Sequence, residues 1–240
     1  MKISINPIPT REFPDIGSYK IDKHDEPMIN LRYMGFLVEP RYYLQGIEGA
    51  VPECYARESV VEMLKKAAHL LPSHLMLKIY DAYRPIQVQQ SLWDMYRKKV
   101  VEESKDANLT DEEIDKKTSF FVSKPSYDPK VPSLHNTGGA VDLTLVTTRG
   151  HYALNMGCDF DDFTPKAWTN HFEEDYEEHE VNTEARENRR LLYSVMTEAG
   201  FTNLPSEWWH FDYGDKFWAY FTGNTAIYEG IDMDIPVRSR

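Results

Sequence analysis

Cysteine is almost absent from this sequence. Its 240 residues include only two cysteines, Cys54 and Cys158. Neither belongs to a Cys-x-x-Cys pair, which excludes a zinc site built from cysteines and gives no indication of a disulfide scaffold. The two residues could form one bridge, but we interpret them as two buried free thiols.

Positive charge is also scarce. Lysine and arginine number 27 against 39 aspartates and glutamates, so the formal net charge is −12. Because no basic stripe or cluster is visible, nucleic acids and anionic membrane surfaces are not expected as partners. An anionic small substrate would need a locally placed arginine or metal ion.

Long apolar runs are missing too. No segment approaches the ~20 consecutive apolar residues of a membrane span, and the first residues contain no apolar run typical of a signal peptide. The sequence therefore predicts a cytoplasmic protein, or a periplasmic one if an export signal has been removed. It leaves the oligomeric state open, a homo-oligomer included.

Apolar periodicity and one capping pattern together predict four helices. Three of them show helical spacing and cover about residues 56–71, 86–104 and 185–199. The fourth is short and is indicated by Thr-Asp-Glu-Glu at residues 110–113, a capping-box pattern typical of a helix start.

Apolar segments between these helices predict strands. Residues 29–37, 75–81, 140–146 and 206–213 have strand-like patterns, and 152–156 has that of a returning hairpin strand. Helices and strands are mixed without regular β-α-β alternation, which predicts an α+β fold with a central, mostly antiparallel sheet flanked by helices. Since no repeat or linker is visible, we expect one domain over 1–240, with 1–30 as an irregular N-terminal extension.

One of these predicted strands contains a carboxylate that is energetically unfavourable to bury. The run Ser-Leu-His-Asn-Thr-Gly-Gly-Ala-Val-Asp occupies residues 133–142 and leads into the strand. Asp142 interrupts an otherwise apolar segment, and a buried carboxylate is unfavourable unless it is paired, hydrogen-bonded or bound to a metal. His135 could bind the same metal, and Gly138 and Gly139 allow a tight backbone between the two. The alternative is that Asp142 caps a turn and His135 packs in the core.

A second run, Glu-Trp-Trp-His at residues 207–210, could complete a metal site. Catalytic zinc takes three protein ligands and leaves a fourth position open, and His135, Asp142 and His210 form such a set. Glu207 would then be a general base beside a metal-activated water. Residues 207 and 210 of a regular strand face opposite sides, so this arrangement needs a bulge or twist. The alternative is a strand with aromatic packing, an exposed glutamate and a hydrogen-bonded histidine.

Together with Asp-Ala-Tyr-Arg-Pro at residues 81–85, these two runs resemble the D-alanyl-D-alanine dipeptidases of the vancomycin-resistance type, which belong to the zinc D,D-peptidases. The resemblance extends from about Leu31 to Asp212. It implies the D,D-peptidase or hedgehog-like fold and one zinc ion per chain. The site residues it implies are the zinc ligands His135, Asp142 and His210, the base Glu207, the oxyanion-stabilising Arg84, and the substrate contacts Asp161, Tyr33 and Ser133.

The resemblance also implies a reaction, zinc-dependent hydrolysis of D-Ala-D-Ala or a related short D-amino-acid dipeptide, whose free ammonium group Asp161 would hold. The sequence differs from the family pattern at two places, and both differences affect how the C-terminal residue of the substrate would be bound. Leu134 replaces a serine that is common in the family, and residues 36–43 match poorly, so that the expected tyrosine is Tyr42, Tyr43 or absent. The alternatives are a D,D-carboxypeptidase or L,D-endopeptidase acting on cell-wall peptidoglycan peptides, and a non-catalytic zinc-stabilised binding module.

Overall fold

A five-stranded sheet forms the centre of the fold. The computed structural model of the chain describes residues 3–13, 16–17, 19–105, 107–173 and 180–233. The strands are β1 Met28–Asn30, β2 Leu37–Val38, β3 Tyr55–Arg57, β4 Leu75–Asp81, β5 Ala140–Thr147, β6 Thr202–Asn203 and β7 His210–Asp212. The central sheet has the order β2-β4-β5-β7-β6, and β1 pairs separately with β3. Only the β2–β4 pair of the central sheet is parallel. The predicted mostly antiparallel sheet is therefore confirmed.

Six α-helices accompany the sheet in the part of the chain that the structure describes. They are α1 Arg41–Leu44, α2 Glu58–Leu70, α3 Ile86–Glu103, α4 Asp111–Thr118, α5 Glu180–Ala199 and α6 Lys216–Thr222. The four predicted helices correspond to α2, α3, α4 and α5. Thr110 forms the expected capping box with Glu113 at the start of α4. The α+β prediction is thus confirmed.

The core lies between the sheet and helices α2 and α5. Leu64 of α2, Val195 of α5 and Leu143 of β5 are completely buried in one cluster. Full burial of such a side chain contributes about 1.5–3 kcal/mol. This packing explains why apolar residues recur at helical spacing in α2 and α5, and it holds β5 rigidly at the centre.

Three predicted strands have other bounds. The segment 29–37 is divided between β1 and β2, because the chain turns at Leu31 and reaches Gly35 at a positive φ of 89°. The segment 152–156 contributes only an isolated bridge between Ala153 and Val146. The segment 206–213 is a turn that becomes a strand only at His210.

The chain beyond α6 folds back toward residues 83 and 136. The Ile231 amide donates to the Asn136 carbonyl at 3.1 Å, and the Asn136 side-chain amide donates to the Ile231 carbonyl at 2.9 Å. The Tyr83 hydroxyl donates to the same carbonyl at 3.0 Å. A Cβ on Gly230 would lie 2.6 Å from Asn136 Oδ1, so this close approach requires glycine.

Two expectations from composition can be compared with the structure. Cys54 is buried, Cys158 is half-buried, and both are free thiols, as interpreted above. Within the described ranges, no helix combines the length and apolar character required to cross a bilayer.

Candidate active site

Strand pairing brings the three candidate metal ligands together. Asp142 of β5 lies directly opposite His210 of β7 in the antiparallel register. His135 lies on a short 3-10 helix, Leu134–Thr137, that immediately precedes β5. Gly138 ends this helix with a φ of 73°, and a Cβ at Gly139 would lie only 2.4 Å from the Tyr213 carbonyl oxygen. The two glycines therefore allow the sharp entry into β5 that places His135 beside the sheet.

The ligand atoms of this triad converge on one point. His135 Nε2 lies 3.2 Å from Asp142 Oδ2, and His210 Nδ1 lies 3.0 Å from Asp142 Oδ1. The two ring nitrogens are 3.1 Å apart. All three side chains are buried. The predicted grouping of His135, Asp142 and His210 is present in the fold.

The hydrogen bonds on the far side of each ring define where its proton sits. His135 Nδ1 lies 2.7 Å from the Ala82 carbonyl oxygen, which can only accept, so Nδ1 carries the hydrogen. His210 Nε2 lies 2.8 Å from Asp212 Oδ1, the shorter of the two carboxylate contacts of this ring, and we assign the proton of the neutral ring to Nε2, which then donates to that carboxylate. In the neutral rings, the two nitrogens that face each other therefore hold lone pairs.

This donor set fits a zinc ion. Two lone-pair nitrogens and a carboxylate that face one another in a buried site repel unless a cation lies between them. Two nitrogens bound tetrahedrally to zinc at 2.0–2.1 Å are roughly 3.3 Å apart, close to the 3.1 Å between His135 and His210. Outer hydrogen bonds from both rings are also typical of metal-binding histidines.

Glu207 lies beside this triad, although not on a strand. The chain turns before β7, and the His210 amide donates to the Glu207 carbonyl. This turn places the Glu207 carboxylate 3.8 Å from His210 Nδ1, on the ligand side of the ring. No bulge is needed, because residues 207 and 210 are three apart in a turn. Desolvation is the main cause that raises the pKa of Glu207, and the Asp142 charge adds to it.

Arg84 follows β4 and is held rigidly beside Asp142. Its Nε donates to Asp81 at 2.8 Å, its Nη1 to Gln89 at 3.0 Å and its Nη2 to the Tyr42 hydroxyl at 3.3 Å. Nη2 also lies 3.5 Å from Asp142 Oδ2. Sequence reasoning missed the roles of Asp81 and Gln89. The position of Asp81 within the Asp-Ala-Tyr-Arg-Pro run was the available signal.

These groups line one cleft. It holds about 530 Å³ of free space, part of it open to solvent. Besides the metal triad, its walls include Arg84, Glu207, Asp161, Ser133 and Leu134. The cleft thus collects most of the residues that the sequence singled out.

Asp161 is presented by an irregular loop. It has a positive φ of 60°, and its carboxylate accepts a hydrogen bond from the Tyr42 hydroxyl at 3.4 Å. Burial raises the pKa of Asp161 well above its usual value, and the charge of Asp142 adds to this effect. Tyr42 therefore joins Asp161 to Arg84 by hydrogen bonds.

Tyr33 is the one candidate that the fold does not bring to the cleft. Its side chain is 76% exposed and lies in the turn between β1 and β2. Tyr42 is 7% exposed and lines the cleft in its place. Because the turn directs Tyr33 into solvent, its expected contact with the substrate stays a prediction that the arrangement of the cleft does not support.

Most of the chain is similar in sequence to known D-alanyl-D-alanine dipeptidases. A sequence profile described as D-ala-D-ala dipeptidase matches residues 49–226. A D-alanyl-D-alanine dipeptidase of Synechocystis sp. is 31% identical over 205 residues, which are 74% of this chain and 82% of that protein. One of Escherichia coli K12 is 32% identical over 162 residues, or 66% of each chain. A solved structure of VanYB in complex with D-alanine-D-alanine covers 94% of this chain and 93% of its own, with 15% identity and a TM-score of 0.46.

Proposed function

The chain belongs to the D-ala-D-ala dipeptidase family, and we propose that it is a zinc-dependent peptidase that hydrolyses D-Ala-D-Ala or a related short dipeptide containing D-amino acids. One observation carries this proposal. The lone-pair nitrogens of His135 and His210 converge with Asp142 at the wall of a cleft, with Glu207 beside them.

His135 Nε2, Asp142 and His210 Nδ1 would hold the zinc ion. When bound, zinc supplies Lewis-acid chemistry, since it polarises a carbonyl group and makes water more acidic. As three protein ligands, these residues would leave one position free for water or substrate, as catalytic zinc sites require. The Ala82 carbonyl and Asp212 fix the orientation of the two rings from behind.

Glu207 is the proton carrier in this proposal. Its carboxylate accepts a proton from the attacking water and delivers it to the amine of the leaving amino acid. The side chain is 26% exposed and so remains reachable from the cleft.

Arg84 would interact with the negative charge on the oxyanion, and Asp161 with the positive charge on the ammonium group of the substrate. The Arg84 guanidinium is held by Asp81, Gln89 and Tyr42 and would stabilise the negative charge that develops on the carbonyl oxygen. Asp161 would pair with the ammonium group of the substrate, and Ser133, which lines the same cleft, would also contact the substrate. A requirement for a free ammonium group restricts the enzyme to dipeptides.

The test compares two substrates on the zinc-loaded protein. We expect D-Ala-D-Ala to be hydrolysed and an N-acetylated peptide ending in D-Ala-D-Ala to be left intact. Equal hydrolysis of both would overturn the dipeptidase assignment in favour of a carboxypeptidase. No hydrolysis with zinc bound would overturn the enzymatic function altogether.

Glu207→Ala provides the matching variant. It should retain zinc, because Glu207 is not part of the ligand triad, and should lose about 10²- to 10⁴-fold in kcat. Zinc content by elemental analysis and kcat on D-Ala-D-Ala are the two measurements. Unchanged turnover would remove Glu207 from the mechanism.

A further inference from the structure

Three aromatic side chains form a cluster in the wall of the cleft. Tyr96 of α3 stacks on Phe121 with ring centroids 5.9 Å apart and an interplanar angle of 12°. Phe163 meets both rings edge-on, at 4.8 Å from Tyr96 and 5.4 Å from Phe121. All three line the cleft that contains the metal triad. Rings from three separate segments therefore share one wall with the catalytic groups.

This aromatic cluster lies at the edge of a buried apolar cluster, against which Tyr96 packs. Tyr96, Phe121 and Phe163 are each only partly buried, so some of their apolar surface remains accessible from the cleft. Leu92 and Val122 line the same wall and, like the three rings, carry no charge. Apolar surface inside a concave site gains free energy when a ligand covers it.

The aromatic cluster lies next to the proposed ammonium site. Phe163 follows Asp161 by two residues on the same loop. Burial, and after it the charge of Asp161, raises the pKa of the Tyr96 hydroxyl, which indicates that this ring lies within electrostatic reach of Asp161. In a dipeptide, the ammonium group and the N-terminal side chain are attached to the same Cα. An ammonium group at Asp161 therefore brings that side chain close to the aromatic cluster.

We propose that Tyr96, Phe121 and Phe163 form a subsite for the side chain of the substrate's N-terminal residue, and that this subsite prefers apolar side chains larger than methyl. The proposal rests on the proposed function, since it takes Asp161 as the partner of the ammonium group. It adds a substrate class: dipeptides with a bulky apolar D-residue before a C-terminal D-alanine.

A methyl group leaves most of such a wall uncovered, whereas an isobutyl side chain covers it. One additional methylene in a hydrophobic pocket changes kcat/KM by about 10- to 200-fold. We therefore expect kcat/KM for D-Leu-D-Ala to exceed that for D-Ala-D-Ala by at least about 10-fold. Glutamate at the same position should be disfavoured, because the apolar cluster offers no cation to pair with its carboxylate.

The experiment measures kcat/KM of the zinc-loaded wild-type protein for D-Ala-D-Ala, D-Leu-D-Ala and D-Phe-D-Ala. Hydrolysis of D-Ala-D-Ala with an equal or lower kcat/KM for the two bulkier dipeptides would overturn the subsite and leave the proposed function intact. If no dipeptide is hydrolysed, both proposals fail together. The wild-type comparison does not depend on the folding of any variant.

Two neighbouring phenylalanines provide a matched pair of variants. Phe121→Ala should lower the ratio of kcat/KM for D-Leu-D-Ala over D-Ala-D-Ala by about 10-fold. Phe120 is 78% exposed and does not line the cleft, so Phe120→Ala should change neither the ratio nor the activity. The same ratio in Phe121→Ala and wild type would contradict the proposal.

Discussion

His210 and Asp212 are joined by a 2.8 Å hydrogen bond from the ring Nε2 to Oδ1 of the carboxylate. The two residues are two apart on β7 and so point to the same face of the sheet. Asp212 is completely buried, so the orientation of its carboxylate is fixed. This pairing leaves Nδ1 of His210 as the nitrogen that faces Asp142 and His135.

Asp212→Asn should weaken zinc binding. An amide oxygen carries no full charge, so it orients the ring less firmly and makes it a weaker ligand, and loss of such a partner costs about 10- to 100-fold in metal affinity. Competition with a chromophoric chelator measures the affinity. Asp94→Asn, an exposed change on α3, is the control. Equal affinity of Asp212→Asn and wild type would show that Asp212 does not support the ligand.

Removal of the metal should destabilise the fold. Without a cation, three acceptors face one another in a buried site, whereas zinc at about 1,000 times its Kd adds roughly 4 kcal/mol to the free energy of unfolding. Thermal unfolding with zinc and with a chelator measures the effect as a lower Tm in the chelated protein. His210→Ala should show no zinc-dependent shift. A shift of the same size in this variant would place the stabilising metal elsewhere.

Arg84→Lys should impair the chemical step. Lysine keeps the charge but loses the planar fork that donates to Asp81, Gln89 and Tyr42 together. We expect kcat on D-Ala-D-Ala to fall by about 10²- to 10³-fold, as for other oxyanion-stabilising groups. Zinc content should be unchanged, because Arg84 is not a ligand. A change confined to KM would assign Arg84 to substrate binding alone.

Arg189→Met should destabilise the loop that carries Asp161. Arg189 of α5 is 1% exposed and donates to the carbonyls of Met156, Lys166 and Trp168, each at 2.7 Å. Its loss leaves these acceptors without their donor and should lower the free energy of unfolding by about 3–5 kcal/mol.

Urea unfolding measures this loss. Arg186→Met is the control, because Arg186 lies on the same helix, is 30% exposed and pairs with the neighbouring Glu187 at 3.7 Å. We expect this partly exposed change to cost much less, about 0.5–1 kcal/mol. Similar losses in both variants would show that the three carbonyl contacts contribute little.

The metal ligands could be predicted because the sequence shows a carboxylate whose burial would be energetically unfavourable. Asp142 interrupts an apolar strand, and such a carboxylate requires a partner wherever the strand is buried. The turn at Glu207 could not be predicted from periodicity, since its apolar and aromatic pattern also fits a strand. The sequence does not decide between Tyr42 and Tyr43, for a different reason. Tyr42 reaches Asp161 across 119 positions of sequence, a contact that only the assembled sheet and its loops determine.

The contact between Asn136 and Ile231 has a consequence for the order in which the protein is made. A growing chain leaves the ribosome from its N-terminus, so His135 is synthesised 75 residues before His210. Ile231, which binds the residue after His135, follows Asn136 by 95 residues. A nascent chain thus carries two of its three candidate ligands, His135 and Asp142, while the 68 residues up to His210 are made. The ligand set is complete once His210 has emerged, and the contact between Asn136 and Ile231 can form only after that.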